Sequence, residues 1–264
     1  LDKKLEEFSD REKYYKKESD MALLTKIDSK VNKGVDLSVE ELRFLYEIDS
    51  EIEGFGYRED PRIDEIKSKR NIYQDYSLIF NCNETEIGSA SSNDDYSKCK
   101  VWIGNLNLKN LKIAEGLVLP KVLVGDLHLD GLISTEGLVL PKEIVKDLYL
   151  SSLIGTEGLI MPEKVGGTLY LTNLKNAEEL VLPKEVNGSL DLRKLRNAKG
   201  LVMPEKVGGT LILSRLFTTE GLILPETIGN SLDLGSLTSA EGLILPNKLE
   251  GTLYLSSLTS AEGL

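Results

Sequence analysis

One histidine, His128, and two cysteines, Cys82 and Cys99, are the chain's whole stock of nitrogen and sulfur metal ligands and thiol nucleophiles. A structural zinc site draws on about four such ligands, and a Ser–His–Asp site would have to be built around that single imidazole. Neither is expected. The two cysteines lack metal-ligand spacing, which leaves two free thiols or a disulfide stapling the segment between them in an oxidising compartment. The adjacent acids Asp94 and Asp95 offer oxygen to a cation, but a hard cation needs about six oxygens, and a solvated loop is the simpler reading. The fragment GFGYRE, from Gly54, misses the G-x-G-x-x-G spacing and follows a helical pattern instead of a strand. Sequons at Asn83 and Asn187 matter only if the chain passes through a glycosylating pathway. No catalytic, metal or cofactor set emerges, and the expectation is a protein that is not an enzyme.

The elements that must position any binding residues are repeats. Beyond residue 105 the segment GLVLP returns at 116 and 137, followed by GLIMP, ELVLP, GLVMP and twice GLILP, each 21 residues after the last. A second segment recurs in phase, from LNL at 106 through LHL at 127 to LYL at 253. Seven full units span Leu106 to Thr252 and an eighth is cut short at Leu264. The unit reads L-x-L-x-x-L-x-x-A-E-G-L-x-L-P-x-x-V-x-G-x. It cannot bury its own leucines, so units must stack, strand on strand at about 4.8 Å per coil. The expected fold is a parallel solenoid with two ladders per turn. The second ladder is placed on the apolar-Pro segment, with Gly ahead of it for a turn and Pro ending it for want of a donor.

Residues 1–80 read as a helical cap domain. Met21, Leu24, Ile27 and Val31 share one helical face. Ser38 to Glu41 forms a capping box that opens a helix carrying Leu42, Leu45 and Ile48, ended by Gly54 and Gly56. Asp60 then caps a short third helix with Pro61 at its first position. About three helices are therefore expected, covering the leucines and strand edges that a first coil exposes. Residues 81–105, with NETEIGSASSNDDYSK between the cysteines, read as a junction loop and first irregular coil.

Two columns of the solenoid face away from the leucines by alternation. The second position of the unit reads Asn107, His128, Tyr149, Tyr170, Asp191, Ile212, Asp233 and Tyr254. It varies while its neighbours do not, and Tyr, Asp, Asn and His suit partner recognition; solvent-facing strand positions also tolerate substitution. Lys109, Arg193, Lys194, Arg196 and Arg215 make the middle coils beside it locally basic. The thirteenth position is instead uniform, as Val118, Val139, Ile160, Val181, Val202, Ile223 and Ile244. If it points outward it forms an apolar stripe that a partner or a second solenoid could cover. If the following turn covers it, it serves only the ladder.

The alternation of L-x-L-x-x-L with L-x-L-P-x-x-V over 106–264 resembles the leucine-rich repeat superfamily, and segments such as LVLPKEV resemble its bacterial BspA-like class. Where that superfamily carries an asparagine ladder, this chain has Leu111, Leu132, Leu153 and Leu174. The resemblance implies protein–protein or surface recognition through one strand face. The helical segment resembles no family.

A net charge of −11, of which −4 lies in 101–264, argues against a nucleic-acid partner. No apolar run approaches the roughly 18 residues of a membrane helix, so no membrane insertion is expected. The opening LDKKLEEFSD has neither an initiator Met nor an apolar signal core, and points to a missing N-terminus. The fold expected is α+β, a leucine-rich solenoid with an α-helical cap. The function expected is non-enzymatic recognition of a protein, or a glycan, through the second-position column. The alternative is a structural protein that self-associates end to end through open coils; a catalytic N-terminal domain would require convergent acids around a pocket.

Overall fold

The computed structural model describes residues 11–56, 59–92 and 94–260. The opening ten residues, two of the GFGYRE fragment, Asn93 and the last four residues of the eighth unit lie outside the described residues. The chain divides between Ile87 and Gly88 into two compact units.

The first unit contains four described α-helices: α1 (Arg11–Asn32), α2 (Val39–Leu45), α3 (Pro61–Ser68) and α4 (Ile72–Phe80). Leu24 and Ile27 of α1, Leu42 and Leu45 of α2, and Ile63 and Ile66 of α3 are withdrawn from solvent almost completely. The box at the start of α2 forms as expected: the Glu41 amide donates to Ser38 Oγ at 3.2 Å, and the Ser38 amide donates to Glu41 Oε2 at 2.9 Å. That helix is shorter than expected. It stops at Leu45 because Glu47 turns left-handed, with φ of 53°, and folds the Ile48 amide back onto the Arg43 carbonyl. The fourth helix was not expected. Asn71 caps it by accepting the Tyr73 and Gln74 amides, and Asn81, left-handed at φ 47°, closes it.

Two buried carboxylates tie this unit together. Glu41 takes Lys30 at 2.7 Å and Lys26 at 3.3 Å. Asp75 takes both Nε and Nη2 of Arg70 at 2.7 Å and the Tyr46 hydroxyl at 2.8 Å. Each is consumed by cations and donors of its own neighbourhood, the arrangement that lets a carboxylate remain charged in a core.

The second unit is a parallel β-solenoid of about seven turns with 21-residue spacing, built from two sheets. The eight-stranded sheet takes one Leu-x pair from each coil, from Leu106–Asn107 to Leu253–Tyr254, always paired one repeat along. Leucines at the first, third and sixth positions line the interior; Leu127, Leu129 and Leu132 in one coil, and Leu169, Leu171 and Leu174 in another, have no accessible surface. Continuous leucine columns supply the burial that a single unit cannot.

The nine-stranded sheet differs from expectation in place. It runs from Ile87–Ser89 and Val101–Ile103 to Lys248–Leu249, using the pair after each proline, such as Glu143–Ile144 and Lys164–Val165. The apolar-Pro segment itself is extended but forms only one isolated bridge among the described residues, Val181 with Val202. Proline removes a donor at the same place in every coil, and the ladder forms on its far side. The glycine ahead of the segment does adopt left-handed geometry, φ 72° at Gly137. Residues 81–105 are correspondingly more regular than a loop, since they supply the first two strands of this sheet and two single 3-10 turns.

The corner between the two sheets carries a ladder of short polar side chains. Asp126 Oδ1 accepts the Asp147 amide at 3.1 Å, Asp147 Oδ1 accepts the Thr168 amide at 2.7 Å, and Thr168 Oγ1 accepts the Ser189 amide at 3.2 Å. Ser189 and Ser231 repeat the bond onto Thr210 and Thr252. Backbone donors that the strands leave unpaired are thus satisfied from coil to coil. On the outer side of the other sheet charges alternate between coils: Lys142 meets Glu163 at 3.2 Å and Glu143 meets Lys164 at 3.5 Å. Strict repetition would otherwise stack like charges directly opposite one another.

Candidate functional site

All eight second-position residues stand in one row, each in register with its equivalent one repeat along: Asn107, His128, Tyr149, Tyr170, Asp191, Ile212, Asp233 and Tyr254. Their backbones are fixed, since the Leu129 and Leu150 amides donate at 2.9 Å to the carbonyls of Tyr149 and Tyr170, and the pattern continues along the row. What the side chains do divides the row into three parts.

His128, Tyr149 and Tyr170 stack. The imidazole and the first phenol ring are 4.3 Å apart at 15°, and the two phenol rings are 4.5 Å apart at 9°. The spacing follows from the ladder, because side chains on successive parallel strands are carried about 4.8 Å apart. Both faces of Tyr149 are spent on its neighbours, so this part of the surface presents ring edges, polar atoms and the outer faces of His128 and Tyr170. The Tyr149 hydroxyl donates to Asp147 Oδ2 at 3.0 Å, which connects the row to the corner ladder. Burial, and then the Asp147 carboxylate, push the Tyr149 phenol well above its ordinary pKa. His128 Nδ1 lies 3.5 Å from Asp130 Oδ2.

The acidic and amide members bond back to the turns that follow them, with Asp191 buried, Asp233 half-buried and Asn107 exposed. Asp191 is only 1% exposed. It accepts the Arg193 amide at 3.1 Å and Arg193 Nε at 2.9 Å, and also pairs with Arg193 Nη2. Asp233 accepts the Gly235 amide at 2.9 Å and the Ser214 hydroxyl at 2.7 Å. Asn107 accepts the Lys109 amide at 3.3 Å. In each the side chain caps the turn two residues on, as Asn and Asp do in Asx-turns. The Asp191 carboxylate, by hydrogen bond and charge, raises the pKa of Arg193.

Between these two acids the row opens into a hollow around Ile212, lined by Arg193, Lys194, Ser214, Arg215 and Asp233. Lys194 donates to Asn173 Oδ1 and Asp191 holds Arg193, while the exposed Arg215 side chain has no ion pair or hydrogen bond among the described residues. Of the basic residues read from sequence, Lys109 and Arg196 do not line this hollow. Tyr254, at the end of the row, is half-exposed. The part of the row left open is narrower than the full column: the ring stack from His128 to Tyr170, an exposed guanidinium beside Ile212, and Tyr254 at the end. Asp147 and Ser214 belong to its support and were not singled out in the sequence. The sign for Asp147 was present, because the last position of every unit is Asp, Ser or Thr.

The other chemistry-bearing residues are locally engaged. Cys82 and Cys99 are not joined in a disulfide, and burial, then the Asp94 and Asp95 carboxylates, push the Cys99 thiol up. Asp94 accepts the Ser89 amide at 3.2 Å, and Asp95 caps Ser97 and meets Lys98 at 3.1 Å. Among the described residues no three His, Cys, Asp or Glu side chains are grouped to hold a metal ion. No described helix is long and apolar enough to cross a membrane. Compared with protein-family models, with curated proteins and with solved structures, the chain matches none.

Proposed function

We propose that this chain is a non-enzymatic recognition module, a leucine-rich solenoid of the BspA-like kind, which binds a protein partner along the second-position row. The observation that carries this reading is the juxtaposition of a stacked His128–Tyr149–Tyr170 edge with the unpaired Arg215 beside Ile212. Tyr and Arg are the side chains that dominate binding energy at protein interfaces. An unpaired guanidinium in a partly apolar hollow suits a carboxylate, which it grips through two parallel N–H donors. The partner's chemistry is therefore an acidic residue flanked by apolar ones. Protein is favoured over glycan because a sugar stacks on a broad open ring face, and the stack spends both faces of Tyr149 and one face each of His128 and Tyr170.

The test is a double variant, Tyr170→Ala with Arg215→Ala, compared with Glu163→Ala on the other sheet as control. Asp191 is left alone because its role is to cap a turn. Proteins captured by the wild-type chain from source lysate and surface fractions are quantified against both variants, with thermal unfolding run in parallel. The expected result is a partner lost about tenfold or more with the double variant and retained by the control, at unchanged stability. An identical captured set for all three chains would remove the proposed surface.

A further inference from the structure

The thirteenth position of every coil points into solvent, with exposures from 52% at Val202 to 82% at Ile244. Val118, Val139, Ile160, Val181, Val202, Ile223 and Ile244 thus form one uncovered β-branched stripe, with next to no ladder hydrogen bonding to account for its composition. We propose that this stripe is a self-association surface on which a second copy of the chain packs side by side, both solenoids running in the same direction with their coils level.

Charge points to that occupant, and size sets the strength of the contact. Six steps of about 4.8 Å make the stripe roughly 29 Å long, and turns at the tenth and eleventh positions confine the extended face to the four apolar-Pro residues, about 13 Å wide. A footprint of about 380 Å² per copy, roughly 750 Å² in total, is the size of a weak, transient contact. The flanks are the tenth and sixteenth positions. The tenth is Glu in every coil but one, and none of these described glutamates forms an ion pair: Glu115, Glu136, Glu157, Glu178, Glu220 and Glu241 stand in an exposed row of like charge. A two-fold axis along the solenoid sets each tenth position against the partner's sixteenth in the same coil. Glu115 then meets Lys121, Glu136 meets Lys142 and Glu178 meets Lys184. In the one coil whose tenth position is basic, Lys199, the sixteenth is acidic, Glu205. Two coils oppose like charges, Glu157 with Glu163 and Glu220 with Glu226, and one is neutral at Asn247. The antiparallel alternative sets the glutamate row against itself, with Glu115 facing Glu241, Glu136 facing Glu220 and Glu178 facing its own copy. Like charges in direct opposition disfavour it.

The experiment is sedimentation equilibrium of the full chain over a wide concentration range. A reversible monomer–dimer equilibrium is expected. Ile160→Arg, at a position 81% exposed and so harmless to folding, should weaken it by about tenfold or more. Glu136→Lys and Lys142→Glu should each weaken the homodimer, and an equimolar mixture of the two should recover a heterodimer, because their altered charges then meet in opposite sign. A chain that stays monomeric throughout, or one whose dimer survives Ile160→Arg unchanged, overturns the stripe as the contact. A mixture that recovers nothing overturns the level, parallel arrangement. Binding through the second-position row is scored separately with Ile160→Arg, which leaves that row intact.

Discussion

Replacing Asp147 by Ala removes two hydrogen bonds at once, and the structure says how much each should matter. Its Oδ1 is the acceptor of the Thr168 amide at 2.7 Å, and its Oδ2 is the acceptor of the Tyr149 hydroxyl at 3.0 Å. A partly buried amide left without a partner costs about 1–3 kcal/mol, and a lost bond to a charged acceptor adds about 1 kcal/mol or more. Asp147 is only half-buried, so water recovers part of this. The net expectation for Asp147→Ala is a loss of about 2 kcal/mol. Asp147→Thr separates the two contributions, because Thr already serves as acceptor at Thr168 in the next coil. It should keep the ladder, lose only the Tyr149 bond, and cost about 1 kcal/mol. Urea unfolding followed through Trp102, the single tryptophan and a strand residue of the solenoid, measures the difference. Hydrogen exchange at the Thr168 amide should accelerate in the Ala variant and stay near wild type in the Thr variant. Equal stability of the two variants, or an Ala variant indistinguishable from wild type, would refute the load attributed to this ladder.

Two further outcomes test the fold at other points. Burial pushes the Glu41 carboxyl up, but Lys30, the Ser38 amide and Lys26 outweigh it and hold it at about 2, against an ordinary 4.5. A depressed folded-state pKa stabilises above the ordinary value and is lost as pH falls through the depressed one, so acid should cost the helical unit about 2–3 kcal/mol between about pH 4.5 and about pH 2. Circular dichroism of Glu41→Gln should show a weaker pH dependence in that window; an unchanged acid transition would sink the assignment. Glu179 is the one non-glycine in the left-handed turn ahead of the apolar-Pro segment, at φ 65°. Glu179→Gly should stabilise the solenoid by about 0.5–1 kcal/mol, the left-handed strain of about 1–2 kcal/mol less the entropy glycine adds to the unfolded chain; a lower urea midpoint would contradict this.

The parts of this fold that were legible in the sequence are those that depend on period alone. A 21-residue repeat with fixed leucines leaves little choice but parallel stacking, and stacking puts Asn107 through Tyr254 in one row. What was not legible depends on which of two similar segments makes the bonds. LVLP and KEV are both short and β-prone, and only the position of the missing proline donor decides that the ladder follows Pro183 instead of preceding it. The copies at Ile87–Ser89 and Val101–Ile103 lack the surrounding leucine pattern, so periodicity did not find them. Nor can alternation tell an outward Asp that meets a partner from one that bends back to cap its own turn. Asp191 and Asp233 do the latter, and Arg193 and Gly235 two residues on are where the difference is made.

Variation and uniformity along the repeat therefore do not separate site from scaffold in a simple way. Within the variable row, Asn107, Asp191 and Asp233 are scaffold, since any residue with an oxygen one carbon from Cβ can hold that turn. The ring stack, the Ile212 hollow and the half-exposed Tyr254 are the parts of the row not taken up by capping. Within the uniform column, Val and Ile cannot be explained by burial, because every one of them is more than half exposed. An exposed position under no constraint mixes residue types, as the seventh position does here with Lys112, Ile133, Ile154, Lys175, Arg196, Phe217 and Thr238. Seven β-branched residues in seven coils describe a surface with a constant counterpart, and a solenoid of the same pitch is the counterpart whose spacing matches at every coil.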